Sequence, residues 1–277
     1  MTGHARVCAQ CRRLNAAGDT VCYNCHARLP GELQLQLRGL VGTLLGHEQP
    51  AARFYVVLCV GVYLACAMKG GFSLLGGIPR LEAARWGAIM PGLDEPWRLL
   101  SAMFVHFGLL HIVFNMMTLN DMGRLLEPRL GSGRFLCAFL VTGILGFVAS
   151  DLWYSWRGNP AATAGASGGL LGLIGVLIGV LYARRDPTWK QVLTRVFVYG
   201  LVFALVMPTN NAAHLGGLLA GGLLGLWFGR ERRPERNRVV YNVIAGVLVV
   251  ASIGSIVASQ ISVAGIVREA AARSSYR

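Results

Sequence analysis

A chain of 277 residues that is 54% hydrophobic and only 14% charged, with a mean hydropathy of +0.52, is far from the mix of a soluble globular domain. That balance excludes a water-soluble enzyme core and specifies an all-α polytopic membrane protein. The formal charge of +13 is spread through short loops between apolar runs, as positive-inside topology requires, so no nucleic-acid partner is expected.

The chain starts on a polar, Cys-bearing segment, not on the basic, apolar and small-residue pattern of a cleavable signal, and insertion is expected to rely on internal spans. Of its seven Cys, four form Cys8-x2-Cys11 and Cys22-x2-Cys25, with ten residues between the pairs. Residues 1–30 are too few to bury a useful core. A zinc-ribbon-like module is expected there, with a structural Zn held by Cys8, Cys11, Cys22 and Cys25 in a closed tetrahedral site. His4 and His26 are spare ligands, and the other reading is a reduced, flexible tail. Cys59, Cys66 and Cys137 lie singly in apolar runs, as small buried hydrophobes.

Residues 31–52 form a connector. Leu37, Leu40, Val41, Leu44 and Leu45 recur in it at helical spacing, which fits either an interfacial helix or a linker with scattered Leu. Seven candidate spans follow, at about 54–68, 106–126, 135–153, 164–183, 192–207, 212–228 and 239–261. Residues 53–230 hold six of them as a core, and 231–277 add a seventh span and a tail. Between the first and second spans, Lys69 to Val105 is too polar to cross and suits a structured loop at the membrane surface. Pro208-Thr209-Asn210-Asn211 breaks the uncharged run from Val196 to Gly229 into a helical hairpin.

Arg124, Arg129 and Arg134, then Arg184, Arg185, Lys190 and Arg195, then Arg230, Arg232, Arg233, Arg236 and Arg238 fall in alternate loops. The N-terminus is therefore expected in the cytoplasm. Thiolates in that reducing compartment favour metal binding over disulfides.

With this topology the second, fourth and sixth spans all enter from the outer face. Ser167, His214, His111 and Asn115 then fall within roughly the outer 5–15 Å of the bilayer, at 1.5 Å per residue. Polar groups persist in lipid only if they pair, pack or line a wet cavity, so these four are candidate site residues. Small residues around Ser167 (Gly165, Ala166, Gly168, Gly169) and on the face of His214 (Gly217, Gly221) let the fourth and sixth spans approach closely. Ser167 then serves as nucleophile with His214 as general base, a dyad because no acidic residue in the spans lies near enough to orient the His. His111 and Asn115, spaced i, i+4, together with the Ser167 amide, offer donors for an oxyanion. His106 lies off that face and has a packing or water-binding role. Arg98 is read as an interfacial snorkelling Arg, and Glu127 with Arg129 as a loop ion pair, all three structural.

Gly165-Ala166-Ser167-Gly168, His106-x4-His111-x3-Asn115 and Asn211-Ala212-Ala213-His214-x2-Gly217-x3-Gly221 resemble motifs of the rhomboid intramembrane serine proteases. Trp97-Arg98 resembles the pair in the family's long first outer loop, and Glu127-x-Arg129-x-Gly131 its motif after the second span. The resemblance covers about residues 54–229. It implies a six-helix bundle in which Ser167 attacks a peptide carbonyl of a transmembrane substrate, His214 serves as base and then acid, and His111, Asn115 and the Ser167 backbone stabilise the oxyanion. Leu171 stands where many relatives carry a Tyr stacked on the catalytic His, and the seventh span resembles the family's C-terminal addition. The expected partners are the lipid bilayer and single-span transmembrane substrates, cleaved near the outer face without a cofactor for catalysis. A bacterial inner membrane is the expected location. The rival reading is a non-proteolytic rhomboid-like protein that binds transmembrane helices. A transporter is disfavoured, since no acidic residue or interrupted helix pair lies near mid-membrane.

Overall fold

Hydrocarbon offers no water to bond a bare peptide group, so a chain this apolar must satisfy its backbone within helices. The computed structural model describes residues 6–8, 10–11, 13–16, 18–31, 49–69, 77–206, 209–231 and 237–275, and it is mostly helical. The chain divides into two units, Met1–Pro50 and Ala51–Arg277.

In the first unit, β1 (Arg6–Val7) pairs antiparallel with β2 (Leu14–Asn15). Each Cys pair sits on a turn closed in the same way. Cys8 donates its amide to the Arg13 carbonyl at 2.9 Å, and Cys22 donates to Ala27 at 2.8 Å. Among the described residues the buried apolar cluster is Cys8, Cys22 and Leu29, with Cys11, Cys25 and Ala27 packed against it. The Leu repeat at 37–45 lies outside the described residues.

In the second unit, α1 (Pro50–Lys69) is followed by two short helices in the first loop, α2 (Arg80–Arg85) and α3 (Arg98–Ser101), and a 3-10 turn at Ala102–Phe104. Then come α4 (Leu109–Leu130), α5 (Ser132–Trp156), α6 (Ser167–Ala183), α7 (Thr188–Val206), α8 (Asn211–Arg230) and α9 (Arg238–Ser275). Each of the seven expected spans coincides with a helix among the described residues. Four are long and apolar enough to cross a membrane (α1, α5, α8 and Arg238–Val267 of α9). The Arg98–Phe104 segment and α4, bent by 95°, make a fifth candidate. Leu215, Leu219, Leu223 and Trp227 along one face of α8, and Val243, Val247 and Val250 on α9, are exposed, a pattern suited to lipid rather than water.

Boundaries differ from the hydropathy reading in two places that matter. The second span begins at Leu109, leaving His106 in the preceding turn. The fourth begins at Ser167 rather than Ala164, because residues 161–166 run as a loop bridged to the first loop through paired Ile89–Thr163 backbone bonds of 2.9 Å. Seventeen residues make α6 about 26 Å long, short of the ~30 Å hydrocarbon thickness.

In lipid, helices associate through close packing rather than the hydrophobic effect. The α6–α8 contact depends on glycine. A Cβ on Gly217 would lie 2.0 Å from the Gly168 carbonyl, on Gly221 1.9 Å from Gly172, and on Gly225 2.3 Å from Val176. These are backbone atoms, which have no rotamer to yield. Tyr55 on α1 stacks on Phe104 (5.4 Å) and meets Phe139 of α5 edge-on (5.3 Å), fixing α1 to the bundle.

The polar motifs are structural but not as expected. Glu127 is buried and, among the described residues, pairs with no arginine. Its carboxylate accepts from the amides of Ala51 (2.9 Å) and Ala52 (3.0 Å) and from Ser132 Oγ (2.6 Å). It thereby satisfies orphan donors at the start of α1, where negative charge is favoured. Arg129 instead donates to the Leu125 carbonyl. Arg98 does not snorkel; it is 1% exposed. Its guanidinium donates to Glu95 (2.5 Å) and to the carbonyls of Ala84 (2.6 Å) and Ala88 (2.9 Å). A buried charge is tolerable only when paired and bonded in this way.

Candidate active site

The three helices that begin on one side of the bundle bring the candidate residues together. Ser167 is the first residue of α6, His214 the fourth of α8, and His111 the third of α4. Because Gly168 and Gly217 touch backbone to backbone, side chains one helical step away are forced into reach. His214 Nε2 lies 2.8 Å from Ser167 Oγ. Ser167, His111 and His214 are partly exposed, while Asn115 and the neighbouring Gly165, Ala166, Gly168 and Ala213 are buried. Among the described residues no carboxylate pairs with His214.

His111 reaches the same point from α4. Gly165, at φ +122, has the His111 ring where its own Cβ would be, at 2.6 Å from Nε2. Any other residue at 165 would push that ring away and strain the backbone. Asn115 donates one amide N–H to the His111 carbonyl at 2.7 Å, keeps a second N–H, and has a buried Oδ1 without a partner. As the first residue of α6, Ser167 has an amide with no acceptor within its helix. The structure thus brings a hydroxyl–imidazole pair together with the His111 ring beside Gly165, an arrangement whose hydroxyl can attack a carbonyl.

Two further residues hold these groups. His106 is buried in the turn before α4. Its Nε2 accepts from the Ala166 amide at 3.4 Å, Nδ1 lies 3.3 Å from the Phe104 carbonyl, and its ring meets that of His111 edge-on at 4.9 Å. This is the packing role expected of it. Asn210 was not singled out by sequence reasoning. Its Oδ1 caps α8 by accepting from Ala213 N (3.0 Å), while Nδ2 donates to Ser150 Oγ (2.6 Å) and Thr163 Oγ1 (3.1 Å). An Asn directly before an apolar helix, following a Pro, is an N-cap signal that could have found it. Leu171 is partly buried, one turn after Ser167.

A second cluster lies in the N-terminal unit. The Sγ atoms of Cys8, Cys11, Cys22 and Cys25 all fall within 4.8 Å of one another. Cys8–Cys25 and Cys11–Cys22 are 3.5 Å apart, too far for disulfides. A tetrahedral ion with ~2.3 Å bonds to sulfur would need edges of about 3.8 Å, so the four thiols fit a metal. The Cys11 and Gln10 amides hold the Cys8 thiol below its ordinary range. Desolvation raises Cys22, but the amides of Cys25 and Asn24 and the thiols of Cys11 and Cys8 bring it down to about 6. Cys25 is drawn down by the Ala27 amide, yet desolvation and the neighbouring thiols push it up to about 12.

Known proteins resemble this chain over its helical part. Residues 93–231, half of the chain, match the model of the Rhomboid domain. The chain is 31% identical over 172 residues to the Rhomboid protease GluP of Bacillus subtilis, covering 60% of this chain and 32% of that protein. It is 30% identical to RHOMBOID-like protein 6, mitochondrial, of Arabidopsis thaliana, covering 64% of each. It is 27% identical to the Rhomboid protease GlpG of Yersinia pseudotuberculosis, covering 67% of this chain and 65% of that one. The chain therefore spans between about a third and just under two thirds of the length of these relatives.

Proposed function

Because this chain belongs to the rhomboid family, we propose that it is an intramembrane serine endopeptidase with Ser167 as nucleophile and His214 as general base. The observation that carries this reading is the 2.8 Å contact between His214 Nε2 and Ser167 Oγ across two helices. Ser167 Oγ attacks the carbonyl carbon of a peptide bond while His214 Nε2 takes the hydroxyl proton. The developing oxyanion is met by the His111 ring N–H, the Asn115 amide and the Ser167 backbone N–H. The intermediate collapses, His214 returns the proton to the departing amine, and an ester remains on Ser167. Water then gives a proton to His214 and attacks that ester, and Ser167 recovers a proton as the acid product leaves.

The substrates in this reading are single-span transmembrane proteins, cut near the outer face, with the N-terminal unit in the cytoplasm of a bacterial inner membrane. The four thiols hold a structural zinc, which closes the two Cys turns on each other and takes no part in catalysis. Protein purified without chelator is expected to carry one zinc per chain; finding none would count against it.

A fluorophosphonate probe in detergent tests the nucleophile. Wild type should be labelled, and Ser167→Ala and His214→Ala should each abolish labelling. Labelling that survives Ser167→Ala removes the assignment. A protein that binds transmembrane helices but never labels would instead be a non-proteolytic helix binder, a reading that relatives named only as rhomboid-like keep in view.

A further inference from the structure

We infer that α9 is a brace for the active site: Ser259 and Ser262 hold the first loop, and the first loop holds the backbone on which both Ser167 and His214 are mounted. The inference rests on the proposed hydrolytic site.

Ser252, Ser255, Ser259 and Ser262 recur at three- and four-residue steps on one face of a helix that is otherwise apolar. The first three are buried, Ser259 completely. Ser252, Ser255 and Ser259 donate their hydroxyls to carbonyls of α9 itself, those of Leu248 (2.7 Å), Ser252 (2.7 Å) and Ser255 (2.9 Å). It is therefore their burial and small size that mark this face as a packing surface. For Ser259 and Ser262 the neighbour is the first loop. Ser259 Oγ lies 3.4 Å from Ser101 Oγ, and Ser101 Oγ donates to the Gly87 carbonyl at 3.0 Å. Gly87, at φ +104, has no side chain where Ser101 and Ser259 approach; a Cβ there would be 2.2 Å from one hydroxyl and 3.1 Å from the other. Ser262 Oγ donates to Glu95 Oε1, whose other oxygen holds Arg98. The lower end of α9 is pinned separately. Glu231 joins Arg134 of α5 (3.0 Å) to Asn237 (2.7 Å), and the Arg134 guanidinium lies over the Tyr241 ring at 4.6 Å. A helix held at its start and again at Ser259 and Ser262 can transmit position between the two.

From the brace, two short routes reach the dyad. Ala102 follows Ser101, and its carbonyl accepts from the Gly165 amide at 2.8 Å, two residues before Ser167. Ile89, two residues after Gly87, exchanges both backbone bonds with Thr163. Thr163 Oγ1 in turn accepts from Asn210, the cap of the helix that carries His214. Ser259 and Ser262 are positioning residues. They touch no reacting atom, but a shift of the loop would move the nucleophile and its base relative to each other.

The test uses full-length protein in lipid nanodiscs, with Ser259→Leu to wedge the contact, Ser262→Ala to cut the Glu95 bond, Ser262→Thr to restore a hydroxyl, and lipid-facing Val257→Ala as control. A displacement near 1 Å at a reacting centre costs of order tenfold or more in rate. The maximal rate of fluorophosphonate labelling should fall about tenfold in Ser259→Leu and less in Ser262→Ala, with the half-saturating probe concentration unchanged. Ser262→Thr should recover wild-type labelling, and Val257→Ala should match it. Amide exchange should accelerate at Ile89, Thr163 and Gly165, and not at Leu119 or Leu140 in the core. Unchanged labelling and exchange in Ser259→Leu would overturn the brace, as would exchange that rises equally everywhere, which marks general destabilisation. If wild type itself never labels, the hydrolase reading fails, and the exchange pattern alone still decides whether α9 braces the loop.

Discussion

The two units of this chain solve the same problem with opposite means. The Ala51–Arg277 unit is held by surfaces brought so close that backbone meets backbone, as at Gly217 on Gly168 and Gly221 on Gly172. Among the described residues of the Met1–Pro50 unit the buried apolar cluster is Cys8, Cys22 and Leu29, beside four sulfur atoms close enough for a metal to tie together. One unit is specified by what is missing, side chains that would keep helices apart. The other is specified by what is added. A perturbation aimed at either device should leave the other unit intact.

The largest effect is expected at the glycine seam. Gly221→Leu would drive a Cβ to 1.9 Å from the Gly172 carbonyl, separating α6 from α8 and with them Ser167 from His214. Fluorophosphonate labelling should fall by about a hundredfold or more, while zinc content per chain, read by elemental analysis, should not change. Loss of zinc in that variant would mean that the units do not keep separate accounts.

Next in size is removal of the metal. Cys22→Ser, or an excess of chelator, should unfold the N-terminal turns, seen as collapse of amide dispersion for residues 6–31, because apparent binding of a structural zinc supplies on the order of 10 kcal/mol to so small a fold. The melting of the helical unit and labelling of Ser167 should stay as in wild type.

The pH dependence of metal affinity is a finer probe of the same unit. Cys25, pushed up to about 12, is protonated in the metal-free state at neutral pH, so binding must expel its proton. Affinity should therefore rise with pH by about tenfold per unit for that proton. Cys22, brought down to about 6, is already a thiolate above that value and adds nothing to the slope there. Below about pH 6 it too takes up a proton that the metal must displace, and the slope should steepen. Competition with a chromophoric chelator between pH 5 and 8 measures this; an affinity flat with pH would remove the tetrathiolate assignment.

The smallest effect is expected at Asn210. Asn210→Ala removes the cap of α8 and two side-chain bonds to Ser150 and Thr163, at a cost of about 1 kcal/mol for the cap. Labelling should slow several-fold with the zinc unit untouched. Asn210→Asp, which retains the acceptor for Ala213 N, should lose less.

The sequence made the site legible because it violates its background. A Ser, two His and an Asn in uncharged runs stand out, and alternate basic loops put them at one depth. The Cys spacing was legible for the same reason. Hydropathy could not locate the start of α6, since residues 161–166 are as free of charge as the helix they precede, and the Ile89–Thr163 pairing holds them as a loop. Arg98 looked like a surface residue because an i, i+3 partner such as Glu95 suits an exposed pair, while the carbonyls of Ala84 and Ala88 that bury it leave no side-chain pattern. The serines of α9 have a readable period, but a period names a face and not the neighbour against which it rests.

The brevity of α6 has one last consequence. Packed against both α5 and α8, it is roughly 4 Å shorter than a full crossing. Residues 161–166 precede it as a loop, whose peptide groups are polar. A hydrolase in oil has two substrates, and the second is water. The turn that α6 lacks is where that second reactant can stand.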